Sequence, residues 1–292
     1  MRVTNQTLMM SAQANLQSNK ANLARLQQQA ADLKKITRPS DDPTATASSL
    51  QVRGQQAAAA QYSRNIDNGR GWLNTADSAL TSTTNILRRV KDLTIQGSNG
   101  TMTPAARESI ATEMDGLKKD LLAQANTSFM GRNIFAGNSD AGAAFTSATP
   151  PVFTGTGSTV DRKVADGTSV RVDVDGAAVF GNGPGSAFEL IDNIASDLRS
   201  GANVNTHLDA ISARMDTVSA QHSMVGANDA QIQRAQDVNM KSQGTLEAQR
   251  SGIEDVDMSK AFLDLQLQQT SYSAALAVTA KVLPQTLMDY LR

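Results

Sequence analysis

Gly181-Asn182-Gly183-Pro184-Gly185 is the one stretch with the look of a phosphate cradle. Glycine-rich loops bind phosphates when consecutive amides converge ahead of a helix. This stretch has neither the G-x-x-x-x-G-K-[ST] nor the G-x-G-x-x-G spacing, so it reads as a linker. Asp173-Val174-Asp175-Gly176 resembles a fragment of a calcium loop, but the third acidic pair and the glutamate at the twelfth position are missing. A hairpin turn is the expected structure there. The 2 histidines, His207 and His222, are too few for a multi-histidine metal site, and His222 falls on an apolar seam where packing is expected. No G-x-S-x-G element supports a serine nucleophile. The absence of cysteine removes disulfides, thiolate metal sites and cysteine nucleophiles together. Arg88-Arg89 and Lys91 form a short basic run, but Asp92 follows at once, and a solvated helix face is expected. The residues therefore predict no enzyme: no catalytic group, no cofactor and no metal.

Composition excludes further classes. The chain has 292 residues, 27 Lys+Arg against 28 Asp+Glu, and a formal net charge of -1. Non-specific nucleic-acid binding and anionic-membrane binding both need a positive field, and neither is expected here. No apolar run approaches the roughly 18 residues of a membrane span. Polar Thr4, Asn5, Gln6 and Thr7 interrupt the N-terminus, which does not read as a cleavable secretory signal.

The elements are helical on both flanks. Met9, Ala12, Leu16, Asn19, Leu23, Leu26, Ala30 and Leu33 follow a 3–4 spacing, which predicts a heptad helix over about 5–37, stopped by Pro39. Asp42 as N-cap and Pro43 at the first helical position open the next helix. Its seam is Leu73, Ala76, Leu80, Thr83, Leu87 and Val90, with Gly69 and Gly71 weakening the pattern. Thr103-Pro104 restarts a helix after the turn at Gly97-Ser98-Asn99-Gly100, giving an antiparallel pair. Ser186 with Glu189, and Ser251 with Glu254, have the S-x-x-E spacing of a capping box. The last seam reads Phe262, Leu265, Gln269, Tyr272, Leu276, Thr279, Leu283. Between the flanks, Ser169 to Val174 alternates as a half-buried strand, flanked by Asp166-Gly167 and Asp175-Gly176 turns.

The expected fold is mainly α with a small β insertion: an elongated rod of long antiparallel helices, its terminal helices paired as a coiled coil. Residues 1–40 form the N-terminal coiled-coil helix, 41–136 the outgoing helical part, 137–186 the β domain, 187–250 the returning part and 251–292 the C-terminal coiled-coil helix. Ala, Gln, Asn and Thr fill many seam positions. Such weak seams are expected to order fully only when packed with other copies or partners.

Arg38-Pro39-Ser40-Asp41-Asp42-Pro43 resembles the R-x-x-P-S-D-D-P stretch of the flagellin superfamily. Arg64-Asn65, Asn126-Thr127, and Gly131-Arg132-Asn133-Ile134-Phe135-Ala136-Gly137 resemble its following stretches, and Ala274 to Leu283 its final helix. The Met1-Arg2-Val3-Thr4 opening and the Leu283 to Leu291 ending, with Leu287 and Asp289-Tyr290, resemble the hook-associated adaptors of that superfamily more than its filament subunits. The family often has T-G-K-R-I before its P-S-D-D-P stretch. Leu33 stands at the glycine position, which predicts a helix that runs on without a hinge.

The resemblance implies a structural adaptor between hook and filament, with a filament subunit as the alternative. It implies export through the flagellar type III apparatus to an extracellular position in the bacterial flagellum. The implied partners are the first hook-associated protein, flagellin, further copies of the chain and an export chaperone. It further implies inner packing through Leu16, Leu23, Leu26, Leu33, Phe262, Leu265, Leu276, Leu283, Leu287 and Tyr290.

Overall fold

The computed structural model describes the backbone from residue 2 to 290, and the side chains of residue 7 and of residues 9–280. The chain divides into two compact units, one of residues 1–58 and 242–292, the other of residues 59–241. The helices α2 (Pro43–Gly97) and α6 (Leu208–Glu254) contribute to both.

In the terminal unit, α1 (Arg2–Asp32) pairs with α7 (Met258–Tyr290). Gln268 donates to the Asn19 carbonyl at 3.2 Å, and Lys34 lies opposite Asp255 in an antiparallel bridge, so the two helices run in opposite directions. Leu16, Leu23 and Leu26 are half-buried along α1, as are Leu265 and Tyr272 on α7. Val52 of α2 and Leu246 of α6 are buried in the same unit.

The first helix ends earlier than its heptad pattern predicts. Leu33 adopts φ 56°, the left-handed conformation that terminates helices, and the chain leaves α1 after Asp32. The leucine at the family's glycine position therefore does not extend the helix. Ser251 likewise opens no new helix: α6 continues to Glu254, and α7 starts at Met258 behind Asp257, which accepts from the Ser259 amide at 2.9 Å.

The second unit holds the principal core. Leu73, Ala76, Leu80, Thr83, Leu87 and Val90 of α2 are all at most 1% exposed, and Gly69 and Gly71 do not interrupt the helix. α3 (Pro104–Ala125) returns antiparallel to α2, with Arg89 paired to Glu113 at 2.6 Å. Thr103 caps it by accepting from Ala106. α5 (Ala187–Ser200) packs on α3 and is tied to it by Lys118 and Asp192 at 2.6 Å. Ser186 accepts from the Glu189 amide, while the Glu189 carboxylate accepts from Gly185.

Two antiparallel hairpins lie between α3 and α5. The first, β1 (Ser128–Phe129) and β2 (Arg132–Asn133), pairs Phe129 with Arg132. The second, β3 (Asp161–Ala165) and β4 (Thr168–Arg171), pairs Arg162 with Val170 and turns at Asp166-Gly167. The expected strand through Val174 is shorter, because Asp175 is not in a hairpin turn. It caps the short helix α4 (Gly176–Phe180), accepting from Ala177 at 2.9 Å. Phe145 sits at the centre of an aromatic cluster, 5.2 Å from Phe153, 5.6 Å from Phe180 and 5.2 Å from Phe188.

Candidate functional site

The stretches that could do chemistry have structural uses. Arg214 of α6 donates to the Gly185 carbonyl at 2.8 Å and to the carbonyls of Ala178 and Val179, so the glycine-rich stretch is held by a cation. Asp173 is buried, paired with Arg171 at 3.0 Å, and accepts from the Val160 amide at 2.7 Å. His207 bonds Asp197 at 2.7 Å and His222 bonds Asp77 at 2.6 Å. Among the described residues no three His, Cys, Asp or Glu are grouped as a metal site, and no helix is long and apolar enough to cross a membrane.

The motif residues fix backbone geometry. Asp41 accepts from the Thr37 hydroxyl at 2.9 Å and from the Arg38 amide at 2.9 Å, closing the segment between α1 and α2 on itself. The same bonds, the Thr37 hydroxyl first, hold its carboxyl below the ordinary range. Asp42 accepts from Ala45 at 2.8 Å and caps α2, with Pro43 as the first helical residue. Pro39 and Ser40 are exposed. Arg64 donates to Gln61, and Asn65 donates to the Lys163 carbonyl at 2.8 Å, tying α2 to β3.

Asn126 grips one residue twice, accepting from the Phe145 amide at 2.8 Å and donating to its carbonyl at 3.0 Å. Met130 (φ 50°) and Gly131 (φ 79°) form the turn between β1 and β2. Phe135 is fully buried against Phe180 at 5.1 Å. Gly137, at φ 62°, lies under the Ser158 carbonyl, and any Cβ there would overlap that oxygen.

The inner-packing residues fall into three groups. Leu16, Leu23, Leu26 and Leu265 lie half-buried in the α1–α7 pair. Leu33 (51%), Phe262 (66%) and Leu276 (44%) are exposed in the single chain. The α7 face toward α1 carries Ala261, Leu265, Gln268, Tyr272, Ala275 and Thr279; it shares Leu265, Tyr272 and Thr279 with the expected seam and takes the residue before each of Phe262, Gln269 and Leu276. The side chains of Leu283, Leu287 and Tyr290 lie outside the described residues. Leu263 (64%), Leu267 (68%) and Val278 (62%) form a second exposed apolar row on α7 that the 3–4 spacing did not single out. Their own four-residue step, Leu263 to Leu267, was the available signal.

A polar cluster also escaped the sequence reading. Glu254, the last residue of α6, accepts from Arg53 Nε and Nη2, both at 2.6 Å, and from the Ser49 hydroxyl. Arg250 reaches the same carboxylate at 3.4 Å and also pairs with Glu247 and Asp255. Arg53, chiefly by hydrogen bonding, holds the Glu254 pKa down to about 2 against the opposing effect of burial. The Arg53 and Arg250 guanidiniums are shifted up, Arg53 by Glu254 and Arg250 chiefly by Glu247.

The family model described as the bacterial flagellin N-terminal helical region matches residues 3–140, and that described as the C-terminal helical region matches residues 208–291. The chain belongs to the bacterial flagellin family.

This flagellin-family chain is similar to flagellar hook-associated protein 3 of Salmonella typhimurium, 28% identical over 181 residues that make up 62% of this chain and 57% of the Salmonella protein. It is similar also to the flagellin of Bacillus subtilis, 26% identical over 88% of this chain and 89% of that one. A solved structure described as a flagellar hook-associated protein of Vibrio parahaemolyticus shares the fold, with a TM-score of 0.69 over 74% of this chain and 100% of that chain, at 21% identity. These relatives are structural flagellar proteins rather than enzymes, and members of the family assemble with other flagellar components.

Proposed function

We propose that this chain is the structural adaptor that joins the flagellar hook to the filament, and that the α1–α7 pair is its assembly element. The observation that carries this reading is the outer surface of α7. Phe262, Leu263 and Leu267 are each at least 64% exposed, on a helix that already buries another face against α1. A helix apolar on more than one face belongs inside an assembly. Fully burying such a side chain is worth roughly 1.5–3 kcal/mol, a gain that the single chain leaves unused and a packed neighbour would supply.

The partners in this reading are the first hook-associated protein on one side, flagellin on the other and neighbouring copies of the chain, in a heterologous, open-ended helical arrangement. The protein reaches its extracellular place through the flagellar type III apparatus, accompanied by an export chaperone. The similarity to hook-associated protein 3 and the adaptor-like opening at Met1-Arg2-Val3-Thr4 support the adaptor. The similarity to a filament subunit over 88% of this chain supports the alternative, that the chain is itself a flagellin.

Deletion of the gene in its flagellated host separates the two. Bare hooks with monomeric flagellin in the medium are expected for the adaptor. Loss of a filament protein with intact junctions would make the chain a flagellin. Complementation with a Phe262→Asp, Leu267→Asp variant is expected to leave the hooks bare.

A further inference from the structure

The two long helical paths break at the same place. One break lies between α1 and α2, at residues 33–42, and the other between α6 and α7, at residues 255–257. The breaks are tied directly to each other: the Lys35 amide donates to the Glu254 carbonyl at 2.6 Å, and the Val256 amide donates to the Leu33 carbonyl at 3.2 Å. Gln29 adds a bond to the Lys35 carbonyl at 2.7 Å.

Each piece around the breaks is satisfied locally. Asp42 caps α2, Asp257 caps α7, and Asp41 folds the crossing segment onto Thr37 and Arg38. Separating the breaks would therefore leave the caps of α2 and α7 in place. Open cavities of about 560 Å³ and 500 Å³ flank the crossing segment, and Ile36 lines both. A segment with free space on two sides is not held by close packing, in contrast to a protein core.

Besides those bonds, the side-chain tie at the breaks is Glu254. An anion at a helix C-terminus is opposed by the helix dipole. Its presence there is accounted for by what grips it: Ser49 and Arg53 from α2, in a geometry that uses both carboxylate oxygens, and Arg250 one turn back on α6. The carboxylate thus joins α2 to the last residue of α6, and the backbone of that residue carries the bond to Lys35.

We propose that Glu254 is the pin of a built-in joint, whose release lets the α1–α7 pair pivot on the α2 and α6 ends while all four helices stay folded. The hinge elements are the crossing segment and the short break before α7, as in hinges made from a few residues at element ends.

Hydrogen exchange on the full-length protein tests this. In Glu254→Gln, exchange at the Lys35 and Val256 amides should speed up at least tenfold, with the amides of α1 from 16 to 30 and of α7 from 261 to 275 unchanged. Glu247→Gln should leave Lys35 and Val256 at their original rates. A second variant guards against a trivial loss of folding. The chain has no cysteine, and Lys34 and Asp255 are antiparallel partners, so Lys34→Cys with Asp255→Cys places a single disulfide across the joint. Oxidation of that pair in the Glu254→Gln background should restore the slow exchange. Unchanged protection at Lys35 and Val256 in Glu254→Gln would overturn the proposal. So would equal loss of protection throughout α1 and α7, since the unit would then melt as one body with no joint in it.

Discussion

The carbonyl of Leu33 accepts from the amide of Val256 at 3.2 Å, and Leu33 holds φ 56° where it does so. A side chain in the left-handed region costs roughly 1–2 kcal/mol, part of which glycine gives back through its freer unfolded state. Leu33→Gly should therefore stabilise the bond to Val256 by about 0.5–1 kcal/mol. Exchange of the Val256 amide should slow by up to about fivefold, and faster exchange would show that the exposed leucine side chain contributes more than its backbone costs.

The Glu254 carboxyl has a folded pKa of about 2, below its ordinary value of 4.5. Because the folded value is the lower one, its stabilisation is complete above pH 4.5 and is lost as the pH falls through 2. The difference in urea stability between the natural chain and Glu254→Gln should be largest near neutrality and should close between pH 4.5 and pH 2. A difference constant over that range would mean that the carboxylate charge is not what Arg53 recognises.

Asn126 is the only side chain seen to bond both backbone groups of Phe145 among the described residues, and Phe145 is fully buried. Asn126→Ala leaves a buried amide and a buried carbonyl unpaired, at a cost of about 2–4 kcal/mol. Trp72, the single tryptophan of the chain, is 2% exposed in the same unit, between Arg162 and Phe129. Its fluorescence during urea unfolding reads this cost directly.

Removal of residues 283–292, which include Leu283, Leu287 and Tyr290, should abolish incorporation into the flagellum. The Trp72 unfolding transition should not move, because Trp72 belongs to the 59–241 unit. Normal incorporation by the truncated chain would remove the C-terminal end from the assembly element.

The seam of α2 was legible because every position of its 3–4 pattern faces one core, so hydropathy and burial coincide from Leu73 to Val90. The caps at Asp42, Thr103 and Ser186 were legible because each partner lies three residues away. Glu254 was read as part of a capping box because the same local spacing led to Ser251. Its real partners, Arg53 and Ser49, are about 200 positions distant in sequence. The end of α1 was misread because a leucine in the left-handed region leaves no mark in the sequence. On α7 only alternate seam positions differ: Leu265 and Tyr272 face α1 as the spacing predicts, while the small residues Ala261 and Ala275 take the places given to Phe262 and Leu276.

Six of the seven phenylalanines lie within or against the core of the 59–241 unit, and Phe262 alone stands out in solvent. The chain carries a net charge of only -1, so two free copies meet with little electrostatic repulsion to keep their α7 surfaces apart. The unassembled protein is therefore expected to self-associate as its concentration rises, and a binder that covers Phe262, Leu263 and Leu267 should raise the concentration at which it stays monomeric.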